Sequence, residues 1–258
     1  MSSNADKATT LLDLHAAPEL LKVVNVWDVI SAKVIADLEG TKALATASHS
    51  IAVAYGYEDG ENIPVDLMIE TVGRIAASTD LPVSADLEAG YGNAGETARK
   101  AIGVGIVGAN LEDQMKPLPE AVAAVEAVLK AGEAEGVPFV LNARTDAFVL
   151  GAGRDPKDVL ADAIERGKAY LDAGAPVVFV PGKFDEPTVS ALVDALGPQK
   201  LTLIGVPGSL PLAKLEELGV ARVSYGPFAQ RVALTALADF AIDVIGGGAL
   251  PENTRALN

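Results

Sequence analysis

The chain contains no cysteine. That absence excludes a disulfide framework, a thiolate metal site and a cysteine nucleophile anywhere in its 258 residues. Histidine is almost missing as well: with only His15 and His49, a histidine-rich zinc site cannot be assembled. Positive charge is in deficit, 20 Lys and Arg against 35 Asp and Glu, giving a formal net charge of −15 and no basic patch of the kind nucleic-acid binding requires. No segment reaches the ~18 uninterrupted apolar residues of a membrane span. The opening MSSNADKATT lacks the basic-then-apolar order of a secretory leader. The expectation is a cytoplasmic protein with neither nucleic-acid nor membrane partners.

Half of the residues are apolar, and they are arranged in alternation. Short β-rich runs (Val23–Val26, Ala43–Ala47, Pro82–Ala85, Val107–Leu111, Phe139–Ala143, Val177–Val180, Leu201–Gly205 and Arg222–Ser224) are separated by segments with helical spacing. Those helix candidates lie near Ile30–Leu38, Pro64–Ser78, Ala94–Ile102, Leu118–Ala134, Pro156–Ala173, Glu186–Leu196, Pro211–Leu218 and Phe228–Val244. In LEGTKAL, AEGVPFV, DAGAPVV and ELGVARV a glycine stands where a helix must stop and a strand begin. Eight strand–helix units predict an α/β fold, a single (β/α)₈ TIM-type barrel. A doubly wound sheet carrying a dinucleotide would place Gly-x-Gly-x-x-Gly after its first strand, but Val26 is followed by WDVISAK. One domain is expected over residues 1–258, with a short helix at Ala8–His15 ahead of the barrel and a polar tail after Pro251.

In such a barrel the chemistry collects where strands end. Trp27 and Asp28 follow the first run; Ser48, His49 and Ser50 follow the second, ahead of a loop with Glu58 and Asp59. The third ends in Asp86 and Glu88, the fourth in Glu112 and Asp113, the fifth in Arg144 and Asp146. Asp28, Asp113 and Asp146 each also fit a helix N-cap. Capping does not account for Asp86, Glu88 and Glu112 together, because like charges crowded at one rim repel each other. A hard divalent cation between them would relieve that repulsion, and an all-oxygen donor set suits Mg²⁺, or Mn²⁺. In GYGN, Gly90–Asn93, the glycines fit either a tight turn or a close approach of backbone to ligand beside Tyr91.

The sequence ADLEAGYGN, followed by GANLEDQ and then LNARTDAF, resembles the phosphoenolpyruvate mutase / isocitrate lyase superfamily, and the similarity extends from NVWDVISAKV through the barrel. The resemblance implies an (α/β)₈ barrel whose last helix is exchanged between subunits in dimers and tetramers, binding Mg²⁺ and an α-oxo acid or enolpyruvate. By motif, Asp86 corresponds to the direct metal ligand, and Glu88, Glu112 and Asp59 to acids that hold metal-bound waters. Arg144, Glu112 and Asp59 become the candidate catalytic groups. Trp27, Ala47, Ser48, His49, Ser50, Gly90, Tyr91 and Arg144 become the candidate substrate-binding residues, with the backbone amides of Ala47–Ser50 expected to hold a substrate carboxylate.

The chain departs from the family pattern after the LED acid. The family lyases carry a cysteine-containing gating loop there, and the mutases an asparagine for the phosphoryl group; here EDQMKPLPEAV runs almost directly into a helix. What remains is a metal, an arginine and an oxo-acid pocket. These suit a Mg²⁺-dependent lyase or decarboxylase that cleaves a C–C bond of a small 2-oxo or 2-hydroxy polycarboxylate through an enolpyruvate-like intermediate, with Tyr55, Tyr91, Tyr225 or water as proton source. Two other readings stay open: a P–C bond enzyme using Lys116 for a phosphoryl group, and a non-catalytic oxo-acid-binding protein.

Overall fold

The structure, a computed structural model, describes residues 2–257. Parallel strands form a nearly closed barrel wrapped by helices, an α/β TIM-type fold. The strands are β1 (Leu21–Val23), β2 (Asn25–Val26), β3 (Leu44–Thr46), β4 (Val83–Asp86), β5 (Gly108–Glu112), β6 (Val140–Arg144), β7 (Val177–Phe179), β8 (Leu201–Ile204) and β9 (Arg222–Ser224). In spatial order they run β1-β9-β8-β7-β6-β5-β4-β3-β2. The sheet therefore begins and ends on two halves of one strand.

The sequence predicts that strand as one piece, and the structure breaks it at Val24. The reason lies in Asn25. Its side-chain Nδ2 donates to the Thr46 carbonyl (2.8 Å), while its Oδ1 accepts from the amides of Tyr225 (2.7 Å) and Gly226 (2.8 Å). One buried side-chain amide thus satisfies the Thr46 carbonyl on one side of the seam and the Tyr225 and Gly226 amides on the other, where the strand changes partner from β9 to β3.

The helices are α1 (Asn4–Ala16), α2 (Val29–Ala36), α3 (Ser48–Ala54), α4 (Val65–Ala77), α5 (Ala94–Gly103), α6 (Leu118–Ala134), α7 (Pro156–Asp172), α8 (Glu186–Leu196), α9 (Leu212–Glu217) and α10 (Phe228–Ile245). The sequence pattern finds all of these except α3, read there as a turn and loop. Asp28 is the N-cap of α2, accepting from the Ser31 amide at 2.7 Å. Its place at the end of the first barrel strand thus serves the helix. Among the described residues no helix is long and apolar enough to cross a membrane.

The end of the barrel opposite the strand C-termini is plugged by α1. Leu11 packs against Gly108, where an added Cβ would lie 2.9 Å from the leucine methyl and 2.7 Å from the Val140 carbonyl. One turn on, His15 is buried with its Nδ1 donating to the Leu11 carbonyl (2.8 Å). The other end of the molecule is less covered. α10 buries only Gln230, whose Nε2 donates to the Ser50 carbonyl (3.0 Å), and leaves Val232, Leu237 and Ile242 at 70%, 59% and 71% exposure.

Burial, reinforced by the charge of Arg222, pushes His15 down to about 3. An unfolded histidine takes up its proton near 6.5. Between those values the unfolded chain binds the extra proton, so stability falls as pH drops through that window. In urea titrations between pH 7 and pH 5, wild type should lose unfolding free energy more steeply than His15→Gln, by at most about 1.4 kcal/mol per pH unit. Equal pH slopes for the two proteins would contradict this account of the plug.

Candidate active site

The strand C-termini enclose a cavity of about 170 Å³. On one side it is lined by Ala47, Ser48 and His49 after β3, by Asp59, by Asp86 at the end of β4 and by Asn110 on β5. Arg144, ending β6, comes next. Beyond it the wall turns apolar with Phe179, Pro181 and Ile204, and closes through Ser224, Gly226, Pro227 and Asn25. Among the described residues, Arg144 is the one permanently charged cation that lines it.

Asp86 is held rigidly. Its amide donates to Thr46 Oγ1 (3.0 Å), and its Oδ2 accepts from the Ser48 amide (3.1 Å) and hydroxyl (2.8 Å). The Ser48 amide, expected to face a substrate carboxylate, is thus occupied by Asp86. No side chain caps α3, so the amides of His49 and Ser50 have no capping partner. His49 Nδ1 stands 3.5 Å from Asp59 Oδ2.

Glu88 and Glu112 lie outside the lining, behind this rim. Glu88 is buried, accepts from the Tyr91 hydroxyl (2.8 Å) and takes a close bond from the Glu61 amide, while the Glu61 carboxylate takes one from the Tyr91 amide. Glu61, Glu88 and Tyr91 all have left-handed backbone (φ 62°, 51° and 53°), a conformation costly without Gly and kept because the two loops latch each other. Burial raises Glu88, opposed by the Tyr91 and Glu61 bonds and helped by the charges of Asp86 and Asp59. The GYGN glycines serve the turn: Gly90 has φ +92°, and a Cβ there would sit 2.6 Å from the Ala94 Cα. Asn93 caps α5 through the Glu96 amide (3.2 Å).

Arg144 joins two acids. Its Nη1 lies 2.7 Å from Glu112 Oε2 and its Nε donates to Asp146 Oδ1 at 2.7 Å. Burial alone would lower the guanidinium, but Glu112 and Asp146 outweigh it and raise it. Glu112 goes the other way. Despite Arg144, burial and the charges of Asp146, Asp86 and Glu88 push it up to about 7.

Of the residues singled out from sequence, the structure therefore brings Ala47, Ser48, His49, Asp59, Asp86 and Arg144 to one cavity. Glu88 and Glu112 stand behind it, and Trp27, Ser50, Gly90 and Tyr91 lie outside its lining. Ser50 is buried with a hydroxyl that has no partner among the described residues. Tyr55, Tyr225 and Lys116 are not in the lining either. Sequence reading missed Asn25, Asn110, Ser224, the apolar wall and Glu61. Asn25, Asn110 and Ser224 sit within strands, where a polar residue among apolar ones is the available signal.

The family model described as phosphoenolpyruvate phosphomutase matches residues 11–245. The crystal structure of a candidate phosphonomutase from Burkholderia cenocepacia J2315 superposes with a TM-score of 0.86 at 38% identity, covering 95% of this chain and 100% of that one. A candidate 2-methylisocitrate lyase from Corynebacterium glutamicum is 29% identical over 85% of this chain and 74% of its own length. An oxaloacetate decarboxylase from Rhodopseudomonas palustris is 27% identical over 92% and 84%.

If the crowding around Glu112 is as described, the metal-free protein should contain a carboxyl group titrating near pH 7, protonated below it and ionised above. Carboxyl ¹³C NMR should show that transition and lose it in Glu112→Gln. A wild-type spectrum with every carboxyl titrating below pH 5 would refute it.

Proposed function

Because the chain belongs to the phosphoenolpyruvate phosphomutase family, we propose that it is a Mg²⁺-dependent lyase or decarboxylase that cleaves a C–C bond of a small 2-oxo acid. Its family comprises lyases and mutases of C–C or P–C bonds, generally dependent on a divalent metal, and the chain is an enzyme of that kind. The observation that carries the finer reading is the asymmetry of the cavity: crowded acids and a single guanidinium on one side, an apolar arc on the other.

The donor chemistry fits a hard cation. Asp86 and Asp59 face the cavity, Glu88 and Glu112 stand behind, and burial and mutual repulsion raise both glutamates. Among the described residues no three His, Asp or Glu side chains converge closely enough to cage an ion. That favours Asp86 as the direct ligand, with Glu88, Glu112 and Asp59 acting through water, the mode Mg²⁺ prefers. When bound, Mg²⁺ supplies positive charge that favours enolate over ketone in the substrate.

The chain's own residues do the rest. Arg144, locked between Glu112 and Asp146, presents a fixed positive charge to the oxo-acid end, and fixed charge costs no reorganisation as the enolate develops. The His49 amide, in the lining and without a capping partner, can donate to the substrate carboxylate. A second carboxylate directed at Phe179, Pro181 and Ile204 loses water without gaining a cation. Leaving as neutral CO₂ removes that penalty. The electron pair of the broken bond stays on the enolate, and His49, beside Asp59 in the lining, has a ring nitrogen that can return a proton to carbon.

Size and charge argue against larger substrates. A cavity of about 170 Å³ is well below the roughly 300–1,000 Å³ of drug-sized sites, and a tricarboxylate would bring a further carboxylate for which the lining offers no cation beyond Arg144 and the metal. A phosphoryl group meets the same lack of cations, since Lys116 is exposed and outside the lining. With saturating Mg²⁺ and correction for metal-catalysed decarboxylation in solution, oxaloacetate-like β-oxo acids should have a higher kcat/KM than methylisocitrate or isocitrate. Asp86→Ala should lose Mg²⁺-dependent turnover while staying folded. A tenfold preference for methylisocitrate, ~1.4 kcal/mol of transition-state stabilisation, would overturn the reading.

The exposed face of α10 supports a homo-oligomer, a dimer or a dimer of dimers, because contiguous apolar surface of this kind is expensive to leave in water. Light scattering at micromolar concentration should give a multiple of the monomer mass, and Val232→Asp with Ile242→Asp should reduce it. A monomeric wild type would refute the assembly.

A further inference from the structure

The connection from β5 to α6, residues 113–117, is a fixed turn held by bonds on two sides. Gln114 and Met115 both have left-handed backbone (φ 48° and 54°), which non-glycine residues keep only when their surroundings enforce it. The enforcement comes from Asp113. Its Oδ1 accepts from the amides of Met115 (2.9 Å) and Asp146 (3.0 Å). Its Oδ2 accepts from Arg166 Nη1 (3.1 Å) and the Tyr170 hydroxyl (2.6 Å), both on α7. Arg166 Nη1 also donates to the Lys116 carbonyl at 3.0 Å, and its Nε to Asp162 at 3.0 Å.

The same turn reaches the cavity. The Asp113 amide donates to the Arg144 carbonyl (3.1 Å), and the Gln114 amide donates to Asp146 Oδ2 (3.0 Å), the carboxylate whose other oxygen holds Arg144 Nε. Both oxygens of Asp146 are therefore fixed, one by the turn and one by the arginine. The direction of the Arg144 guanidinium depends, through Asp146 and Asp113, on two side chains of α7 that do not line the cavity.

We propose that Arg166 and Tyr170 are positioning residues for Arg144: by holding Asp113 they fix the turn and Asp146, and so aim the guanidinium at the oxo-acid end of the substrate. Burial and the neighbouring Asp113 raise the Tyr170 phenol, so it stays a donor throughout the working pH range. Arg166 matters more for the same reason that buried charges need partners. Without it, the buried Asp113 carboxylate is left with only a hydroxyl and two amides as partners. The effect on turnover rests on the decarboxylase reading; the effect on Arg144 does not.

The test compares wild type with Tyr170→Phe, Arg166→Met and Arg166→Lys. The readouts are the melting temperature, kcat and KM for oxaloacetate with Mg²⁺, the affinity for oxalate with Mg²⁺, and solvent exchange of the Arg144 Nε–H by ¹⁵N NMR, assigned by its loss in Arg144→Lys. Tyr170→Phe should lower kcat about tenfold with KM changed less than twofold, a misaimed group costing rate far from the chemistry, and should speed Arg144 Nε–H exchange at least about tenfold. Arg166→Met should exceed both effects and Arg166→Lys should recover part of them. If Arg166→Met does not fold, Tyr170→Phe, which removes one hydroxyl, decides. Should wild type decarboxylate nothing, the functional reading fails, and NMR exchange and oxalate affinity still decide the positioning role. A lowered melting temperature with unchanged Arg144 exchange, kcat and oxalate affinity would show a structural network only and overturn the proposal.

Discussion

Closure of the parallel sheet is the constraint on which everything else depends. A closed sheet has one rim of strand C-termini, and every side chain that ends a strand is delivered to it whatever its distance in sequence. The seam is made by a side chain, Asn25, which bonds β3 with its amide nitrogen and the end of β9 with its oxygen. Because Asn25 also lines the cavity, barrel closure and cavity shape are set by the same group. An apolar residue there would leave the part-buried Tyr225 and Gly226 amides without this acceptor, a cost of up to about 1–3 kcal/mol per group where water cannot replace it.

The rim carries more negative charge than it can hold unaided, and it manages the excess in two ways. Glu88 is pinned by a hydroxyl and an amide in a loop latch, whereas Glu112 shares Arg144 with Asp146. Burial, with the charges of the neighbouring acids added, raises the proton affinity of both glutamates, and neither arrangement removes that. A site in this condition has a standing preference for a cation.

The strand positions were legible because each is a short β-rich run set between segments of helical spacing, several of them entered through a helix-stopping glycine or closed by a charged residue, and most helix limits agree to within a residue or two. α3 escaped because seven residues hold too few turns to show a period, and its start at Ser48 has no side-chain cap. Asp86 and Arg144 were legible from their place at strand ends. The cavity-lining side of each strand was not: strands buried on both faces lose the alternation that would reveal it, so Asn110 and Ser224 read as incidental polar residues. Asp113 and Asp146 were ambiguous with helix caps for a related reason. The partners of Asp113, Arg166 and Tyr170, lie on a helix 53 and 57 residues away, and no local pattern announces a contact at that separation.

The plug formed by α1 has a consequence for how the chain comes together. His15 is buried under the influence of Arg222, and Leu20 gives its amide to Glu216, so the end of α1 and the segment after it complete their surroundings only with the last strands and helices, whereas Leu11 already meets β5 and β6. On a ribosome α1 must therefore wait in two stages: Leu11 gains cover once β5 and β6 are made, and the turn carrying His15 only after β9 has emerged. Docking of α1 becomes a late, long-range step. A nascent chain stalled before β9 would be a natural client for chaperones that shield apolar helices.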